Sequence, residues 1–429
     1  MRGAAALLLM ITLAGCGGGV TTSPSPNPPP VASSAAGGAS TNPAETPGGT
    51  GIQLGDSWPT AVRWSQPSYL SPGDRATDMV AWRDEYVAVG TTLQGARTAA
   101  AAWVTKDWAN WHRMLVDLPA DGDSSIERVI AVDSQLIAIG TSGTRHCVPR
   151  EGEGQRCDPL AIALWSSANG QSWRREPRSP AFAGVYLTAV ATNGSSAVLV
   201  GDRGWDRPGI WASDDGLTWG EQSLPHTALG DDQGFAGGHF LDVAASSGGW
   251  VIVGFEGGTE PQCCEGNRPD KIPAAWFSLD GRSWRRADVV NAVDDVGFML
   301  QRVFVGDSYL AYSGPDPERW VSDDGLIWMK AANATVHTPS PWASDGAAIV
   351  GRSSDSAQLL HLSISADGVG WRVLADTGAV AEAPTLGATR VAADTALLFA
   401  SGIGILGEDG TGGYPIWYAQ LIADPSATP

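Results

Sequence analysis

The sequence predicts an all-β protein: a seven-bladed β-propeller of four-stranded antiparallel blades, the last blade closed by the N-terminal strand. Three observations predict it. A short box, Trp-x-Ser-x-Asp-Gly-x-x-Trp with small slips, recurs six times along the chain. An apolar, largely β-branched run ending in a small residue precedes each box. The 429 residues also include 54 Gly, 28 Pro and 19 Trp. That composition does not suit a helical bundle, because Gly weakens helix interiors.

The chain opens on an address rather than on the fold. Residues 1–15 read as an export signal, with Arg2 ahead of the apolar run AAALLLMITLA. The run is too short to span a hydrocarbon core, which takes ~20 residues, and its flanks suit a cleaved leader. It ends in Leu13-Ala14-Gly15-Cys16. Residues 16–57 then shift to Gly, Ser, Thr, Pro and Ala, with too little apolar surface to offset the entropy of ordering. They read as a tether, stiffened at Pro28-Pro29-Pro30. Leu13–Cys16 resembles the lipobox of bacterial lipoproteins. That resemblance implies that Cys16 carries lipid such as palmitate on its sulfur, becomes the new N-terminus, and holds the chain to a membrane outside the cytoplasm.

The boxes occupy the next stretch, 58–422, with 423–429 left as a tail. The full pattern stands at Trp211–Trp219 (Ser213, Asp215, Gly216, Trp219), Trp276–Trp284 (Ser278, Asp280, Gly281, Trp284) and Trp320–Trp328 (Ser322, Asp324, Gly325, Trp328). In Trp165–Trp173, Asn169 replaces the Asp beside Ser167, Gly170 and Trp173. The box ending at Trp371 keeps Ser365, Asp367 and Gly368 but lacks the leading Trp. Trp103–Trp111 keeps both Trp and Asp107 and has lost Ser and Gly.

Asp-Gly or Asn-Gly between short apolar runs signals a hairpin turn, because these residues tolerate positive φ. The Ser hydroxyl and Asp carboxylate suit the turn amides that the ladder leaves unpaired. The runs before the boxes end at Gly90, Gly140, Gly201, Gly254, Ser313, Gly351 and Ser401. A further strand such as RVIAV precedes each run, so every unit reads as four strands with the box between the third and fourth. The closing Trp residues recur every 43 to 65 residues, and four-stranded units of that size signify a propeller. A seventh unit stops after PIWYAQLI around Trp417, and AVRWSQP near Trp64 supplies its missing strand. That leaves no open sheet edge.

The S-x-D-G-x-x-W core resembles the Asp-box, or bacterial neuraminidase repeat, of sialidase-like and photosystem II assembly factor-like propellers. It is one residue shorter than the usual S-x-D-x-G-x-T-W. The resemblance implies architecture rather than chemistry. Sialidases also carry Arg-Ile-Pro ahead of the first box; here the nearest run is Lys271-Ile272-Pro273, late in the fourth unit.

Two insertions stand out between the second and third strands of units two and four: TRHCVPREGEGQRCDP and TEPQCCEGNRPDKIP. Both are expected on the face opposite the box turns, and insertions of this kind often mark a binding face. They hold Cys147, Cys157, Cys263 and Cys264, every Cys but Cys16. In an exported domain these are disulfide candidates. Either Cys147 pairs with Cys157, leaving Cys263 beside Cys264, or the thiols cross between loops. His146 beside Cys147 matches no zinc spacing. The same face carries His226, Asp231, Asp232, His239, Asp294 and Asp295 on connections between units.

With Lys+Arg 27 against Asp+Glu 46 and a formal charge of −19, no nucleic-acid partner is expected, since phosphate binding rests on Lys and Arg. No motif of a hydrolase, metalloprotease, nucleotide-binding loop or calcium loop is present. No catalytic, cofactor or metal residue is therefore assigned. The sequence points to a lipoprotein whose propeller is a binding or scaffold module for a protein or envelope partner at the inserted-loop face, without enzymatic action. A glycan-binding or divergent glycoside hydrolase propeller is the alternative, and an assembly helper for membrane complexes the third.

Overall fold

The computed structural model describes residues 61–64, 68–120, 122–144, 147–150, 154–157, 160–204, 207–224, 238–257, 271–291, 299–313, 318–331, 340–344, 349–354, 360–365, 367, 370–376, 391–392, 397–401 and 415–422. The chain divides into units 1–47 and 48–429, and all described residues belong to the second. They form an all-β structure of several antiparallel sheets. The described helix is a single 3-10 turn, Pro180–Phe182. No described helix is long and apolar enough to cross a membrane.

Six sheets follow one another in the described chain, each built in sequence order. The first comprises Arg75–Trp82, Glu85–Gln94, Arg97–Thr105 and His112–Arg113. The second comprises Asp123–Val132, Gln135–Gly143, Ala161–Ser167 and Ser172–Arg175. The third begins at Val185–Thr192 and the fourth at Gly238–Ser246. The fifth begins at Arg302–Val305 and the sixth at Ser340–Ser344. A further sheet joins Val391–Ala392, Leu397–Ser401 and Pro415–Ile422 to Ala61–Trp64, which runs antiparallel to Pro415–Ile422 with Ala61 opposite Ile422.

The core lies between sheets rather than within them. Trp165 and Trp173 of the second sheet pack with Val87, Val89 and Ala102 of the first. Trp211 and Trp219 of the third pack with Ile137 and Ile139 of the second, and Trp320 and Trp328 of the fifth pack with Val251 and Val253 of the fourth. Each of these three boxes thus contributes two large rings that one sheet presents to its predecessor. A buried aromatic removes about 150–250 Å² of surface from water.

Short parallel straps tie the sheets as well. Leu115–Val116, leaving the first sheet, pairs with Ser172 and Trp173 on the fourth strand of the second. Asp288–Val289 makes the same pairing with Ile327 and Trp328 of the fifth. Ala375–Asp376, leaving the sixth, pairs with Ala61 and Val62.

The first strands of successive sheets stand side by side, and five of the six bulge at one register. The shifts fall between Ala76 and Asp78, Ile126 and Arg128, Leu187 and Ala189, and Phe240 and Asp242. Pro341 and Ala343 repeat it in the sixth. The small residue closing each apolar run sits directly opposite: Gly90 faces Ala76, Gly140 faces Ile126, Gly201 faces Leu187, and Gly254 faces Phe240. A Cβ at Gly90, Gly140, Gly201 or Gly254 would sit on the carbonyl oxygen of Arg75, Ser125, Tyr186 or His239. The bulge brings the two backbones too close for any side chain.

Candidate functional site

The box residues make closed turns between third and fourth strands. The Ser213, Ser278 and Ser322 hydroxyls donate to Asp215, Asp280 and Asp324 Oδ1 at 2.9, 2.9 and 3.2 Å. Those carboxylates accept the amides two and three residues on, as Asp215 does from Leu217 at 2.8 Å and Thr218 at 2.6 Å. Asn169 plays the same part for Gln171 and Ser172. The Trp173, Trp219, Trp284 and Trp328 indoles donate to the carbonyls of Gly170, Gly216, Gly281 and Gly325. Gly216, at φ +70°, leaves room for Ile137 of the preceding sheet, whose Cγ1 lies 2.6 Å from where a Cβ would stand. Ser365 donates to Asp367 in the last box, where Gly368 is outside the described residues.

The first box makes the same turn without Ser and Gly. Thr105 replaces the Ser, its Oγ1 accepting Trp108 N–H at 2.9 Å and donating to Asp107 at 3.2 Å. Trp108 takes the glycine position at φ 62°. Its ring packs 4.3 Å from Tyr86, so a side chain replaces the usual close approach. A left-handed non-glycine residue costs roughly 1–3 kcal/mol, and burial of the indole offsets that cost.

Amide donation has an electrostatic consequence. Burial pushes Asp280 upward, but the Ser283 and Arg282 amides outweigh it and hold the carboxyl at about 2. The Asn110 side chain and amide hold Asp107 at about 2. A carboxyl with a depressed folded value contributes stability above its unfolded value near 4, and loses it as pH falls through the folded one. Asp280→Asn is therefore expected to be less stable than wild type at pH 7, the difference closing as pH approaches 2. Denaturant unfolding across that range measures it, and a constant difference would show that the carboxylate charge plays no part.

The boxes commit their polar groups to architecture, so the ionisable groups to weigh lie on the first strands. Asp78, buried on the first sheet, accepts Val129 N–H of the second at 2.9 Å. Asp242 on the fourth repeats this with Val303 N–H of the fifth at 3.0 Å, and also accepts Val243 N–H at 3.0 Å. In both steps the receiving strand carries an arginine one residue before the donated amide: Arg128 before Val129, and Arg302 before Val303. Arg302 Nε lies 3.8 Å from Asp242 Oδ2.

Burial pushes the Asp242 carboxyl above the ordinary range. Arg302, the two amides and then Arg128 oppose it, so both guanidiniums act on one carboxylate from different sheets. Glu127, the extra residue of the second bulge, is also pushed up by burial and opposed by Arg128. The bulges lie toward the ends of the strands from which the insertions leave. At both steps an arginine thus stands beside a carboxylate that is engaged by backbone amides.

A second cluster lies at the insertion end of the fourth sheet. His239 Nδ1 meets Asp202 Oδ1 of the third sheet at 2.9 Å, and its ring packs 5.3 Å from Phe255. Lys271 Nζ stands 4.7 Å from the same ring. Glu256, 1 % exposed, pairs with Arg286 Nε at 2.9 Å. Of the residues named for this face, Cys263, Cys264, His226, Asp231, Asp232, Asp294 and Asp295 lie outside the described residues, as does Cys16. Cys147 and Cys157 are register partners on a two-stranded ribbon, Cys147–Arg150 with Gly154–Cys157. Among the described residues, no three His, Cys, Asp or Glu come together as metal ligands.

No family model matches the chain, and no curated protein matches it. Among solved structures it is similar to a Trypanosoma rangeli sialidase, at 12% identity over 83% of this chain and 60% of that one, with a TM-score of 0.43. It is similar to a family 25 polysaccharide lyase, an ulvan lyase, at 10% over 83% and 94%, with a TM-score of 0.44. YCF48 bound to D1 peptide matches at 13% over 64% and 90%, with a TM-score of 0.34. These neighbours are propeller-like folds, and at such identities they carry no argument about activity.

Proposed function

We propose that the chain is a seven-bladed β-propeller, carried on a tether from a lipid on Cys16 at the outer side of a bacterial membrane. It serves as a non-enzymatic binding module whose partner presents an anionic group to Arg128 and Arg302. The observation that carries the reading is a repeated step between sheets: Asp78 and Asp242 accept the Val129 and Val303 amides, each beside an arginine of the receiving strand, with Arg302 Nε 3.8 Å from Asp242 Oδ2. Asp78 and Asp242 accept backbone amides, an engagement suited to positioning rather than to proton transfer. Arginine suits carboxylate and phosphate recognition because its planar fork matches two oxygens.

Closure of the seventh blade is supported by the straps. Ala375 pairs with Ala61 as Leu115 pairs with Ser172 and Asp288 with Ile327. Ala61–Trp64 thus takes the place that a fourth strand takes in the second and fifth sheets. The membrane address rests on Leu13-Ala14-Gly15-Cys16 after the apolar run.

A pull-down from native envelope with the wild-type chain and with the double variant Arg128→Ala, Arg302→Ala tests the binding site. The expected result is a partner recovered by wild type and lost, by tenfold or more, with the variant. Equal recovery by both, with both folded, would overturn the assignment. A second reading is a glycan-active propeller, which needs one protonated and one ionised carboxyl; Glu127 and Asp242, both pushed upward by burial, are its candidates for the protonated one. An array of acidic glycans and a panel of chromogenic glycosides separates the two readings.

A further inference from the structure

We infer that the inserted ribbon of the second sheet is closed by a disulfide between Cys147 and Cys157. The ladder places Cys147 opposite Cys157, Val148 opposite Arg156, Pro149 opposite Gln155, and Arg150 opposite Gly154. Pro149 has no N–H, so Pro149 and Gln155 cannot be a pair that exchanges both N–H···O bonds. Hydrogen-bonded and non-hydrogen-bonded pairs alternate along an antiparallel ladder. Cys147 and Cys157, two positions away, are therefore also a non-hydrogen-bonded pair. Such pairs hold their Cα atoms about 4.5 Å apart, inside the ~4.4–6.8 Å span that a disulfide bridges.

The proline thus sets the parity that suits the cysteines. It also decides between the two pairings that the sequence leaves open, because a local bond excludes a bond from either residue to the insertion of the fourth sheet. Formation removes one proton from each thiol and joins the two sulfurs. The two electrons pass to a disulfide oxidant, which leaves as two thiols. The bond pins a ribbon that stands at the insertion end, with Arg150 and Arg156 on the register face opposite the cysteines.

Export to an oxidising compartment rests on the proposed lipid anchor, so the test is run in two arms. The full chain is exported and purified with thiols blocked, and in parallel made unexported and treated with oxidised glutathione. Each sample is cut with trypsin without reduction. Cleavage after Arg145, Arg150, Arg156 and Arg174 releases peptides 146–150 and 157–174. The expected product is these two joined, separating on reduction.

Linkage of either peptide to the one carrying Cys263 and Cys264 would overturn the inference, as would free thiols at Cys147 and Cys157 in both arms. A bond seen only after glutathione treatment upholds the pairing and counts against the compartment alone. Cys147→Ser supplies the control: Cys157 becomes open to alkylation, while the state of Cys263 and Cys264 does not change.

Discussion

Gly140→Ala is expected to destabilise the chain by on the order of 3 kcal/mol, at the top of the ordinary range for overpacking. The added methyl falls on the carbonyl oxygen of Ser125 and within 2.7 Å of Ile126 Cα. Both obstacles are backbone, so no rotamer change relieves them. The first strand of the second sheet has to part from the second, or its bulge has to open. Either response moves Glu127 and Arg128, since the bulge aims them. The expectation is therefore double: lower stability in denaturant unfolding followed by tryptophan fluorescence, and weaker capture of the partner by the fraction that remains folded. Gly220→Ala is the control. Its added Cβ meets only Gln222 Nε2, at 3.6 Å, and its cost should stay within about 0.5 kcal/mol, as for other surface changes. Equal stabilities for the two variants would show that the strands separate freely and that glycine is not required opposite the bulge.

The same glycine marks how much of the molecule is legible in the sequence. Runs ending at Gly90, Gly140, Gly201 and Gly254 are visible as a repeat. Their cause is not, because the opposing carbonyl belongs to another strand fifteen residues upstream and the bulge leaves no local signature. The boxes are legible because their chemistry closes within five or six residues: Ser, Asp, Gly and Trp bond one another. Where the role persists under another residue type, the pattern fades. Thr105 accepts and donates as a serine does, and Trp108 adopts the glycine conformation, so the first box reads as degenerate while its turn is intact. The arginines are harder still. Arg128 and Arg302 sit in runs that resemble any edge-polar strand, and nothing in their spacing says that both act on Asp242. Their convergence comes from the order of the sheets and from where each bulge falls.

Asp242 is where stability and binding are expected to part. Asp242→Ala leaves the Val303 and Val243 amides without their acceptor and both arginines without their shared carboxylate. An unsatisfied buried donor costs ~1–3 kcal/mol, so the loss should be about 3 kcal/mol in all. Asp242→Asn keeps an acceptor oxygen for one amide and should lose about half as much. The pH dependence runs opposite to that of the box carboxylates. Burial raises the folded value of Asp242 above its unfolded one near 4. Its contribution is then greatest below the unfolded value and falls away as pH rises through the folded value. The margin of wild type over Asp242→Asn should therefore shrink as pH rises, while the margin over Asp280→Asn grows. Binding should move the other way from stability: with the carboxylate neutralised, Arg128 and Arg302 present a more positive patch, and Asp242→Asn should hold an anionic partner more tightly than wild type. Weaker binding by a folded Asp242→Asn would place the carboxylate itself in contact with the partner, and the arginines would then serve to position it.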